Sequence, residues 1–353
     1  MAERLMALWQ TNTEVFKEAE KKLQATCSPS MEGKGTGTTH EEMDREYQCS
    51  LDADTLTIAQ EELSECPTER LAAVHALREW AEQQPNLRCP TDTLYLLSFL
   101  RVRHFSQNGA RTALQAMWKV RTENTHIFGD INPCDPCIQG FLDMGVLFPL
   151  PKPDQHGRTI IFDRPGMLDV AEMKSKYGEN ILFRTAVCIL DWLLMNERTQ
   201  VNGIVFISDQ SGFKSEQSSV YSFYNMKKAM ECFLHTYPAR FKEVHIYNMS
   251  PLYETVLTML RPLMSDKLRG RLVLHGKNFH NIYEEIGKQY LPAEYLPDDY
   301  TGENQGLIPE IIGKLKEALR KPEVVTYIQN LSSSKYGWYR NLDIPEGQAG
   351  ITG

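Results

Sequence analysis

Gly203-Ile-Val-Phe-Ile-Ser-Asp209 is a short run of β-branched and aromatic residues closed by Ser-Asp, and it reads as a strand. Three more runs of the same kind flank it. Upstream, the turn Asp154-Gln-His-Gly157 leads into Arg158-Thr-Ile-Ile-Phe-Asp163. Downstream lie Glu243-Val-His-Ile-Tyr-Asn248 and Arg271-Leu-Val-Leu-His275. Helical periodicity fills the gaps, over residues 179–197, 218–237 and 252–263. Strands alternating with helices predict an α/β domain built on a mainly parallel sheet.

Outside this block the pattern is helical. Residues 57–128 carry Leu71, Val74, Leu77 and Trp80 at the spacing of one apolar face. Thr91 or Asp92 is placed to cap a helix through Leu94-Tyr-Leu-Leu-Ser-Phe-Leu-Arg-Val-Arg103, and residues 110–126 make another. The expected organisation is an N-terminal extension with a flexible Gly/Ser/Thr linker (1–56), a helical subdomain (57–128), the α/β domain (129–302), and a C-terminal helix and tail (303–353).

Composition narrows the function. The 353 residues carry 38 basic and 46 acidic side chains, a net charge of -8, which argues against nucleic acid as a general partner. The longest apolar stretch, Thr185 to Met195, is interrupted by Asp191 and falls short of the roughly 20 residues that span a bilayer. Glu3 and Arg4 break the apolar start, so no secretory signal is expected, and the eight cysteines read as reduced cytosolic thiols.

Catalytic and metal motifs are weak. Cys134 and Cys137 form a C-x-x-C without a second pair to complete a zinc site. Gly33, Gly35 and Gly37 have neither the preceding strand nor the Gly-Lys-Ser/Thr of a phosphate loop. Ser208-Asp-Gln-Ser-Gly212 lacks the Gly-x-Ser-x-Gly frame that exposes a hydrolase nucleophile. His275 and His280 lack zinc-protease spacing, and His245 reads as a strand histidine. No catalytic residue, metal or cofactor is expected.

Two helices are more apolar than one buried stripe requires. Ile181-Leu-Phe-Arg-Thr-Ala-Val-Cys-Ile-Leu-Asp-Trp-Leu-Leu-Met195 presents apolar groups in nearly every direction, and Leu252-Tyr-Glu-Thr-Val-Leu-Thr-Met-Leu-Arg-Pro-Leu-Met264 shows the same excess before Pro262 ends it. Ordinary core packing and the lining of a cavity both fit the pattern. Asp191 must either pair with an arginine or face a ligand.

Several ordered blocks decide the family. They are Glu61-Glu-Leu-Ser-Glu-Cys-Pro-Thr-Glu-Arg70, Phe99-Leu-Arg-Val-Arg-His-Phe105, residues 154–166, residues 203–212, Tyr237-Pro-Ala-Arg-Phe-Lys-Glu-Val-His-Ile-Tyr-Asn248, and residues 261–276. In that order and spacing the chain resembles the CRAL-TRIO lipid-binding family over roughly residues 57–302, most of all the branch of alpha-tocopherol transfer protein, cellular retinaldehyde-binding protein and clavesin. The resemblance implies a helical module, a sheet-floored hydrophobic pocket and a mobile gate helix matching residues 252–264. It implies a pocket lined by Phe162, Phe183, Ala186, Val187, Leu190, Leu194, Phe206, Ile207, Phe223, Ile246, Tyr253, Val256, Leu257 and Leu260. It also implies a phosphoinositide site at Arg103, Arg240, Lys242, Lys267 and Arg271, within a stretch (240–271) that holds six cations against three acids.

The family pattern is not complete. Ser98 stands where the family has Arg, Glu294-Tyr-Leu-Pro297 replaces Glu-Tyr-Gly-Gly, and Ala186 and Leu190 match hydroxyl-bearing positions of the tocopherol protein. The function implied is a monomeric cytoplasmic carrier of one small hydrophobic ligand, tocopherol-, retinoid- or isoprenoid-like, that docks transiently on phosphoinositide-containing endosomal or plasma membranes. The competing reading is a membrane-recruited phosphoinositide-binding scaffold or trafficking regulator that moves no cargo.

Overall fold

The computed structural model describes residues 47–339, so the expected first helix, the glycine-rich linker and the last fourteen residues lie outside the described residues. In chain order the main elements are α1 (Ala53–Leu63), α2 (Arg70–Glu82), β1 (Leu87–Arg88), α3 (Thr93–Val102), α4 (Gln107–Glu123), α5 (Pro136–Asp143), β2 (Leu147–Pro149) and β3 (Thr159–Asp163). There follow α6 (Ile181–Leu193), α7 (Glu197–Asn202), β4 (Ile204–Asp209), α8 (Phe223–Ala229), β5 (Phe241–Tyr247), α9 (Pro251–Leu260), β6 (Leu272–Leu274), α10 (Ile308–Leu319), α11 (Pro322–Leu331) and β7 (Gly337–Trp338).

The five-stranded sheet runs β2-β3-β4-β5-β6. Strands β3 to β6 are parallel, and β2 adds an antiparallel edge. Each helical connection returns the chain to the same end of the sheet, as parallel pairing demands. The register assigns the two faces. Asp163 pairs with Ser208 and Ser208 with Ile246, while Ile161, Phe206 and Val244 form the parallel row, so these six share one face. Phe162, Ile207 and His245 occupy the other. That second face is covered by the segment after β6: the Tyr295 ring lies 4.9 Å from Phe162, and Phe279 meets Tyr247 edge-on at 4.9 Å.

Local signals explain most boundaries. Asp92 rather than Thr91 caps α3, its carboxylate accepting from Tyr95 N at 2.9 Å. The helix expected to reach residue 197 stops at Leu193, because Asn196 caps a separate helix through Arg198 N. The pattern over 218–237 is likewise broken. Ser222 caps α8, which passes into a single π turn at Met230–Leu234. On α2 the buried positions are Arg70, Val74, Leu77, Arg78 and Ala81, while Leu71 is exposed and Trp80 half-buried. A strict three-residue spacing drifts around a 3.6-residue helix, so of positions 71, 74, 77 and 80 only Val74 and Leu77 lie on the buried face.

The C-terminal segment is part of the core. Ile311, Leu315, Leu319, Ile328 and Leu331 of α10 and α11 are buried with the rest of the hydrophobic cluster. Strand β7 pairs with β1, and Tyr336 packs against Trp118 at 5.5 Å. The tail aromatics thus close the helical module.

Two buried guanidinium groups join the module to the α/β domain. Arg101 on α3 donates to Glu65 through Nε and Nη2, to Glu197 through Nη2 and to Gln200 through Nη1, each at 2.9 Å. Arg121 on α4 donates to both oxygens of Asp191 on α6 at 2.6 and 2.8 Å, and Tyr237 OH donates to Asp191 Oδ1 at 2.9 Å. Asp191 is therefore paired. Truncating one partner of a buried pair strands the other charge, so Asp191→Leu is expected to cost about 3–5 kcal/mol in urea unfolding, and Arg121→Met/Asp191→Leu is expected to recover most of that loss.

Candidate functional site: an apolar recess and a cationic cluster

The first sheet face is faced by α8, its π turn and α9. Phe233 of the π turn stacks on Phe183 of α6 at 6.1 Å, and Phe213 bridges Tyr221 and Tyr253 of α9 at 5.9 and 5.7 Å. Of the expected lining residues, Val187, Leu190, Leu194, Ile246, Tyr253, Leu257 and Leu260 are buried. Phe183, Ala186, Phe206, Phe223 and Val256 are only half-buried, as are Val244 and Met226. Phe206 sits on the central strand, meets Phe241 at 5.8 Å and keeps accessible surface.

Two expected lining residues are corrected. Phe162 and Ile207 neighbour Ile161 and Phe206 in sequence and therefore point through the sheet, Phe162 onto Tyr295 and Phe148. A strand's two-residue period forbids both members of such a pair from lining one recess. The row that accompanies Phe206 is instead Ile161, Ser208, Val244 and Ile246. Leu194 borders a small void shared with Tyr95, Asp191 and Tyr237 at the seam with the helical module. A separate open groove of about 780 Å³ lies among Pro149, Leu150, Trp192, Ile311 and Leu315, and none of the expected lining residues borders it.

Helix α9 occupies the expected gate position. Ser250 caps it through Tyr253 N, Pro251 fills its first turn, and a 3₁₀ turn at Arg261–Leu263 ends it. Tyr253, Leu257 and Leu260 face inward. Leu252 and Met259, seven residues apart on the outer side, are 47% and 48% exposed. These two apolar groups share the outer side with Glu254, Thr255 and Thr258.

The five expected cations converge. Lys267 is pulled below the ordinary lysine range first by Arg271, with burial, Arg240, Lys242 and Arg103 adding to the effect. Gly203 lets β4 begin against this cluster: its φ is +86°, and a Cβ there would lie 2.4 Å from the Arg240 carbonyl oxygen. Sequence reading missed the cluster's counter-ion. Glu62 on α1 accepts from Arg240 at 2.6 Å and Lys242 at 2.7 Å, and chiefly the Lys242 hydrogen bond holds its carboxyl down at about 2. Nothing in the spacing of residue 62 to residues 240 and 242 signals that contact.

A second convergence also escaped the spacing of the chain. His245, His275 and Glu285 bring their ligating atoms within 4.8 Å of one another, with His245 Nδ1 and His275 Nε2 hydrogen-bonded at 2.9 Å. They lie on the face away from the recess.

With this geometry in place, the class is defined: the chain belongs to the CRAL/TRIO domain family, whose model matches residues 143–295. A Pinta-like UBA domain model matches residues 67–138, across the helical module. The chain is 31% identical over 250 residues to human "Alpha-tocopherol transfer protein-like", covering 70% of this chain and 71% of that one. It is 29% identical over 249 residues to rat "Clavesin-1", covering 70% and 69%. A solved structure titled "Crystal structure of Sfh5" aligns with a TM-score of 0.42 and 10% identity, over 76% of this chain and 99% of that one. Among the described residues no helix is long and apolar enough to cross a membrane.

Asp163, at the end of β3 on the recess face, carries a carboxyl raised by burial to about 6. The hydroxyls of Ser208 and Tyr221 favour its charge, and Asp209 opposes it. A raised carboxyl favours folding at low pH, and that contribution is lost as pH rises through about 6. Asp163→Asn is therefore expected to be more stable than the parent at pH 8 by up to ~3 kcal/mol, with the difference vanishing near pH 4, in thermal or urea unfolding across that range.

Proposed function

We propose that the protein is a non-catalytic lipid carrier that holds one hydrophobic molecule against the recess face of the sheet, under α9, and exchanges it at anionic membrane surfaces. The observation that carries this reading is the set of half-buried apolar side chains, Phe183, Phe206, Phe223, Val244 and Val256, on the inward faces of elements that close over one another. Burying about 300 Å² of ligand at roughly 25 cal/mol per Å² provides at most ~8 kcal/mol before entropic costs, enough to make escape into water slow. Membership of the CRAL/TRIO family and similarity to a protein named for tocopherol transfer support a lipid as the guest.

Exchange requires a route that avoids water. Leu252 and Met259 on the outer side of α9 offer apolar groups to a bilayer, while Arg103, Arg240, Lys242, Lys267 and Arg271 form one cationic cluster. Mutual repulsion within it is relieved when a polyanionic head group binds, and each cation contributes on the order of 1 kcal/mol toward anionic lipid. A phosphoinositide fits this charge density. Opening of α9 then lets ligand pass between two apolar phases. Glu62 competes with the head group for Arg240 and Lys242 and sets the threshold for docking.

The test is transfer of a fluorescent lipid between vesicles containing phosphatidylinositol bisphosphate. Lys267→Glu/Arg271→Glu is expected to slow transfer about tenfold or more, and Glu62→Gln to tighten vesicle binding several-fold at low salt. Transfer unchanged by the charge reversals would remove the docking step. A chain that retains no lipid from any membrane extract, as read by native mass spectrometry, would remove the carrier.

A further inference from the structure

At the C-terminal end of β3 and β4 the recess face stops being apolar. Asp163, Ser208, Gln210 and Tyr221 form a connected polar group there. Ser208 Oγ donates to Asp163 Oδ2 at 2.8 Å, Tyr221 OH donates to Asp163 Oδ1 at 3.4 Å, and Gln210 Nε2 donates to Ser208 Oγ at 2.7 Å. We propose that this group is the subsite for the polar end of the cargo, and that the cargo is a hydrophobic alcohol whose hydroxyl donates to Gln210 Oε1, beside Asp163. The proposal rests on the carrier reading and names the class of guest.

Three observations carry it. First, the group holds more open acceptors than donors, its one unused donor being the second amide hydrogen of Gln210. The hydroxyls of Ser208 and Tyr221 already point at Asp163, and the amide of Gln210 is directed at Ser208. A guest that bonds to Gln210 Oε1 must therefore supply the proton. Second, Gln210 is fully buried and its Oε1 has no partner, an orphan acceptor whose desolvation is costly unless something donates to it. Third, Asp163 is the recess face's own carboxylate, and no cation figures among the groups that act on it. Buried carboxylates are ordinarily paired, as Asp191 is with Arg121. Asp163 instead remains half-buried with only hydroxyl partners.

Position supports the assignment. Asp163 shares its sheet face with Phe206 and Ile246, so the polar end and apolar body of one molecule can be met by one surface. Tyr253 of α9 joins the same neighbourhood, packing on Phe213, which also packs on Tyr221. The subsite thus lies beneath the gate helix. A fatty or retinoic-type acid is disfavoured, because its carboxylate would face that of Asp163. An ester offers only acceptors and would leave Gln210 Oε1 unpaired, and a site built around hydrogen bonds discriminates strongly against an analogue that cannot complete them.

The experiment uses the full chain, stripped of lipid and offered an equimolar mixture. The mixture holds geranylgeraniol, retinol, cholesterol and α-tocopherol, each with its acetate, together with geranylgeranoic and retinoic acids. Lipid retained after gel filtration is identified by mass spectrometry, in parallel with a total membrane extract. Free alcohols are expected to exceed the matching acetates and acids by about tenfold or more, and retained extract lipids are expected to end in a hydroxyl. Asp163→Leu and, separately, Gln210→Leu should each reduce the alcohol preference at least several-fold while acetate binding persists, with a thermal midpoint confirming the fold. Acetates or acids held as well as alcohols, extract lipids without a hydroxyl end, or a preference surviving both substitutions overturns the subsite and leaves the carrier standing. Retention of no lipid at all overturns both.

Discussion

The buried ion pair between Arg121 and Asp191 is the joint on which the arrangement depends. It places a charge from the helical module inside the apolar helix α6, where Tyr237 completes the carboxylate's bonding and the rings of Trp118, Phe128 and Tyr237 lie 5.2–5.8 Å from the guanidinium. Burial alone pushes the Asp191 carboxyl upward, and Arg121 is the largest opposing influence. A charge in such a place costs more to misplace than it gains when paired. The pair therefore acts as a registration mark, fixing α6 against α4 and with it the inner surface that α6 presents to the recess.

From that joint the functional surfaces divide by the two faces of one sheet. The face toward residues 279–295 is filled by interlocking rings, Phe162 on Tyr295 and Tyr247 on Phe279. On the opposite face Phe206 and Val244 remain half-buried. The front carries α9, and Arg240, Lys242, Lys267 and Arg271 gather near the starts of β5 and β6 on the same domain, with Arg103 of the helical module beside them. Glu62, from the helical module, partly neutralises them and ties that module to Arg240 and Lys242.

Particular residues show what could be read along the chain. The strands beginning near residues 159, 204, 241 and 272, the cap at Asp92 and a helix within 252–263 follow from local chemistry, where turn residues, caps and β-branched runs act over a few positions. The antiparallel edge Leu147–Pro149 was not legible, because three residues ending in proline carry too little pattern. Phe162 and Ile207 entered the expected lining through the family resemblance, although the two-residue strand period sets them opposite Ile161 and Phe206.

By itself the sequence determined the α/β class, the order of elements, the excess of cations over residues 240–271 and the surplus apolar surface of α6 and α9, because each depends on residue type and short-range spacing. Tertiary structure alone decided that Asp191 meets Arg121 rather than a guest, that Glu62 sits between Arg240 and Lys242, and that Asp163 ends beside the hydroxyls of Ser208 and Tyr221. Those pairings join positions far apart along the chain. Only closure of the fold, with water excluded and charges forced to choose neighbours, selects among the many partners such residues have on paper.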